Sequence, residues 1–109
     1  MAAKYMHIGI PVLNKKPDMI FNEWGGFWVN ESVDEYDFKI EYLKFEEGTR
    51  FPEVLSKKWH VAYLVDDAQP YIDDSDELLF DERISDTVRL AFVRKEEAII
   101  ELYEDKSQF

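Results

Sequence analysis

The chain contains two histidines, His7 and His60, and each opens the same kind of segment. Tyr5-Met6-His7-Ile8-Gly9-Ile10-Pro11-Val12 aligns with Lys58-Trp59-His60-Val61-Ala62-Tyr63-Leu64-Val65. In both, histidine is followed by a β-branched residue, a small residue, an apolar residue and, after one more position, valine. A glutamate set among apolar residues then closes each half: Glu41 in Lys39-Ile40-Glu41-Tyr42-Leu43 and Glu101 in Ile99-Ile100-Glu101-Leu102-Tyr103. The histidine-to-glutamate spacings are 34 and 41 residues. Side chains alternate across a strand, so His7 shares a face with Tyr5 and Gly9, and His60 with Ala62 and Leu64. By the same rule Glu41 lies with Leu43 and Phe45, and Glu101 with Ile99 and Tyr103. On such apolar faces a lone ionised carboxylate is costly, or takes up a proton. Two neutral imidazoles and two carboxylates around one divalent cation cancel to zero charge. Imidazole nitrogen with carboxylate oxygen suits zinc, nickel, cobalt, iron or manganese. Gly9 and Ala62, two positions past each histidine, leave room for an ion and a ligand.

Blander readings stand beside this one. His7 could be an ordinary half-exposed strand residue. Glu41, between Lys39 and Lys44, could sit on an edge strand whose charges face water. Without Glu41 the set becomes two histidines and one carboxylate, the pattern of non-haem iron sites. Trp24, Phe27, Trp28 and Tyr42 could wall a pocket, although aromatic residues at this spacing commonly build core. Arg50, Lys57 and Lys58 could receive a substrate carboxylate or simply face solvent. The acidic runs at 73–77 and 81–82 read as a solvated face, lacking the glycine and ligand order of a calcium loop.

The elements that must position these donors are mostly strands. Six short runs carry strand patterning: Tyr5–Val12, Gly26–Val29, Phe38–Phe45, Trp59–Val65, Val88–Arg94 and Ala98–Tyr103. Lys95-Glu96-Glu97 reads as a hairpin turn between the last two. Helix could fit at Lys16–Glu23 and Gln69–Leu79, yet Pro17 and Pro70 interrupt both and the apolar spacing is poor. Two halves of about fifty residues, each repeating one unit, would together wrap a curved sheet around a shared cup.

Composition bounds the rest. With 109 residues, 46% of them apolar and 16% aromatic, the chain is expected to form one domain with a real core. The absence of cysteine excludes disulfides, zinc-thiolate sites, iron–sulfur clusters and a cysteine nucleophile. A net charge of −11 repels phosphate backbones and anionic lipid, so no nucleic-acid and no membrane partner is expected. Pro11, Asn14, Lys15 and Lys16 break any signal-like apolar run, and the expected localisation is cytoplasmic.

The paired segments HIGIPV and HVAYLVDD, followed by IEYLKF and IIELYE, resemble the vicinal oxygen chelate superfamily. It includes glyoxalase I, extradiol dioxygenases, methylmalonyl-CoA epimerase and bleomycin-type resistance proteins. The resemblance covers essentially the whole chain. It implies an α+β fold of two βαβββ modules, about 1–50 and 57–109, forming a cup-shaped mixed sheet with helices short or degenerate here. It places metal ligands at His7, Glu41, His60 and Glu101, with Glu101 or Glu41 moving a proton as general base and then acid. Trp28, Phe45 and Tyr103 become candidate substrate contacts. The implied function is a glyoxalase-like, metal-dependent lyase, isomerase or epimerase acting on a small carbonyl or hydroxy-acid substrate. The alternative on the same fold is a non-catalytic, resistance-type binding module or a protein-interaction module. Family members pair modules within a chain or across a homodimer. The chain departs from the pattern in its poor helices and in its acidic loops, which disfavour anionic substrates such as glutathione or coenzyme A.

Overall fold

The computed structural model describes residues 2–31 and 37–109. Among them run eight strands: β1 (Ala3–Pro11), β2 (Met19–Asn22), β3 (Phe27–Asn30), β4 (Ile40–Phe45), β5 (His60–Val65), β6 (Glu77–Arg83), β7 (Val88–Lys95) and β8 (Ala98–Asp105). One α-helix, α1 (Gln69–Asp73), and two single 3-10 turns complete the set. The class is α+β, with a mixed sheet in the order β2-β3-β4-β1-β5-β8-β7-β6 and one short helix. The chain forms two compact units that share β1. One spans His7–Trp59, and the other joins Met1–Met6 to His60–Phe109.

In the His7–Trp59 unit, β2, β3 and β4 form an antiparallel meander, and β4 runs parallel to β1. β2 replaces the helix expected at Lys16–Glu23. Ile20 and Phe21 suit a strand better than a helix, and they pair with Val29 and Trp28 across a tight turn. Gly26 closes that turn at φ 72°, a conformation costly for a residue with a side chain. Leu43, Phe51 and Leu55 are buried, and Phe51 packs against Trp24, Phe27 and Phe45. Asn30, also buried, uses its side chain to join strands, accepting from the Tyr42 amide at 2.7 Å and donating to the Ile40 carbonyl at 3.2 Å.

In the other unit, β6, β7 and β8 form the antiparallel meander and β8 runs parallel to β5. α1 lies between β5 and β6 in the chain. Of the helix window Gln69–Leu79, only the first five residues are helical. Pro70 is tolerated in the first turn. From Glu77 the chain pairs with β7 instead, burying one side of Phe80 against Phe92. Val65, Ala68, Ala91, Val93 and Leu102 form the core beneath α1. The helix is pinned at its start. Glu104, buried on β8, accepts the Ala68 amide at 2.9 Å, and Arg89 reaches Gln69 at 3.0 Å while gripping Asp81 with two nitrogens. No helix among the described residues is long and apolar enough to cross a membrane.

Candidate functional site

Each unit brings one histidine to one glutamate by the same strand register. In the His7–Trp59 unit, parallel pairing sets Gly9 opposite Glu41. His7 precedes Gly9 by two residues and projects from the same face. Its Nε2 lies 3.3 Å from Glu41 Oε1. In the second unit Ala62 stands opposite Glu101, and His60 precedes Ala62 by two. His60 Nε2 lies 3.1 Å from Glu101 Oε1. In both units the residue opposite the carboxylate is small, glycine in one and alanine in the other.

Burial tightens the pairs. The His7 side chain is 8% exposed and that of Glu41 19%; for His60 and Glu101 the values are 2% and 11%. His7 Nε2 and both ring nitrogens of His60 have no solvent-accessible surface. The edge of the His60 ring meets Phe92 at 5.3 Å between centroids and 85° between planes, which fixes the imidazole from one side. Within each unit the imidazole and the carboxylate, His7 with Glu41 and His60 with Glu101, are donors of the type that binds divalent metal ions. Glu41 is therefore not a solvated edge residue: β4 lies between β3 and β1, and its carboxylate is mostly covered.

The expected substrate contacts fall in different places. Tyr103 shares the face of Glu101 two residues away, and burial, then Asp105 and Glu101, push its phenol above the ordinary range. It stays a neutral hydrogen-bond donor at any physiological pH. Phe45 shares the face of Glu41, packed between Phe27 and Phe51. Trp28 pairs with Lys44, so it projects from the face opposite Glu41. There it contacts Phe21, with Lys15 Nζ 4.8 Å from its ring centroid, while Lys16 covers Tyr42 in the same manner.

No family model and no curated protein sequence matches this chain.

Arg50, one of the cations considered for a substrate carboxylate, stacks on Trp24 at 4.2 Å and donates to its carbonyl. Lys57 pairs with Glu53 one helical turn away. Sequence reasoning passed over Glu104. The signal was present: Glu104 alternates with Ile100 and Leu102 on an apolar strand face, the same pattern that singled out Glu101.

Proposed function

We propose that the chain is a metal-dependent domain of the glyoxalase-like kind, in which His7, Glu41, His60 and Glu101 serve one divalent cation. In this reading the two units are βαβββ modules of a cup, the first with its helix reduced to an irregular connection. The observation that carries it is the repeated register: a histidine, a small residue two places on, and a glutamate opposite that small residue on a parallel neighbour. A single buried His–Glu contact is common in structural roles. Two in identical register, each holding a buried nitrogen near a carboxylate oxygen, match the donor chemistry of zinc, nickel, cobalt, iron or manganese.

When bound, such an ion supplies Lewis acidity toward the oxygens of a small carbonyl or hydroxy-acid substrate. The chain's own residues do the remaining work. Glu41 or Glu101 takes a proton from the carbon beside the carbonyl and returns it, the general base and then the acid of an isomerase, epimerase or lyase. Burial at these carboxylates excludes water from the transfer. Tyr103, a neutral phenol on the Glu101 face, orients a substrate oxygen.

A second reading is a non-catalytic small-molecule-binding or protein-interaction domain on the same fold. It draws on the His7–Trp59 unit, which has no α-helix among its described residues and whose Trp28 and Tyr42 are covered by lysine side chains. Elemental analysis of protein purified without chelator or affinity-tag metal separates the two. One equivalent of metal, lost in His60→Ala, supports the enzyme; stable metal-free protein supports the binding domain.

A further inference from the structure

On the other side of β5 and β8 from His60 and Glu101, the second unit contains a cavity of about 210 Å³. Tyr63, Val65, Val93, Ile100 and Leu102 line it from the sheet, and Tyr71 from α1. Its origin is the shortness of α1. Five residues rise only about 7.5 Å along a helix, so the helix ends before it has covered the sheet face beneath it. Asp74, just past the helix, and Lys95, on β7, meet at the rim. Lys95 Nζ donates to the Asp74 carbonyl at 2.8 Å and lies 3.4 Å from its carboxylate, so the two charges offset each other.

We propose that this cavity is a binding site for a small neutral aromatic molecule of one ring or a fused pair. Size, lining and charge point the same way. An engineered apolar cavity of about 150 Å³ takes up benzene and stays dry, so 210 Å³ accommodates a substituted ring. The lining is mostly apolar, with Tyr63 and Tyr71 its aromatic members, the residue type that favours an aromatic guest. The one cation and one anion among the lining residues pair with each other, so the lining holds no uncompensated charge for a charged guest. The site is thus expected to reject charged relatives of the same ring. The inference is independent of the proposed metal, since none of the lining residues is one of the four donors.

Methyl-detected NMR titration of the full chain with toluene, benzoate and benzylamine tests it. The expected result is saturable shifts at Val65, Val93, Ile100 and Leu102 with toluene, and at least tenfold weaker binding of either charged probe. Val93→Phe, which puts a ring into the cavity, should abolish the toluene shifts. Ile100→Phe, at a half-buried wall position, makes the same test if Val93→Phe does not fold. The proposal is overturned if toluene gives no saturable shifts at these methyls. Equal binding of the charged probes, or unchanged binding by a folded cavity-filling variant, would overturn it as well.

Discussion

Replacing His60 with alanine should do two separable things, and their separation is the point. Without metal, the change removes an imidazole that is 2% exposed, its edge contact with Phe92, and the nitrogen 3.1 Å from the Glu101 carboxylate. A buried polar group deprived of its neighbour costs about 1–3 kcal/mol. With metal, the effect is different in kind. At a hundredfold excess over Kd, binding stabilises the wild-type fold by about 2.7 kcal/mol. At roughly 4–8 °C per kcal/mol for a domain of this size, Tm rises by about 11–22 °C. If losing one ligand weakens the site about a hundredfold, the same metal concentration leaves only about 0.4 kcal/mol, or about 2–3 °C. The assay is differential scanning calorimetry of wild type and His60→Ala, each with chelator and with zinc. Val93→Ala, in the core on the opposite face of the sheet, is the control: it should lower Tm in both conditions and keep the full metal response. A metal-induced rise in His60→Ala equal to that of wild type would refute the role given to this residue.

Other outcomes follow from the same geometry. Glu104→Ala should lower stability by about 1–3 kcal/mol in urea denaturation, because the Ala68 amide loses its acceptor beneath α1. Glu104→Gln, which keeps an accepting oxygen, should cost less, and equal losses would exclude the hydrogen bond as the cause. Asp81, held below the ordinary carboxylate range chiefly by its hydrogen bonds from Arg89, contributes stability above its unfolded value of about 3.9 and loses it as pH falls through its folded value. Asp81→Asn should therefore be less stable than wild type by about 0.2–1 kcal/mol at neutral pH. That gap should close as acid protonates Asp81, and a gap that does not change with pH would count against the ion pair.

How far the sequence could be read depended on what kind of signal each feature left. The donors stood out because histidine occurs twice, in mirrored segments, and because Glu41 and Glu101 interrupt apolar faces. The register that unites each pair, Gly9 opposite Glu41 and Ala62 opposite Glu101, is a property of long-range parallel pairing and leaves no local trace. β2 and β6 were hidden for a related reason. Ile20-Phe21 and Leu78-Leu79-Phe80 are too short to show a period, and charged residues and prolines around them suggested broken helices. Only their partners, β3 and β7, settle them as strands. Trp28 shows the limit of composition: a tryptophan near the donors in sequence stands on the far face, because β3 pairs with β4 in a register that aligns it with Lys44.

Anomalous diffraction from a crystal grown with cobalt in excess is the most direct test of whether these histidines and glutamates act as one site. The expected density is a single peak within bonding distance of His7, Glu41, His60 and Glu101 together. No peak, two separate peaks, or one peak bonded to other residues would contradict it.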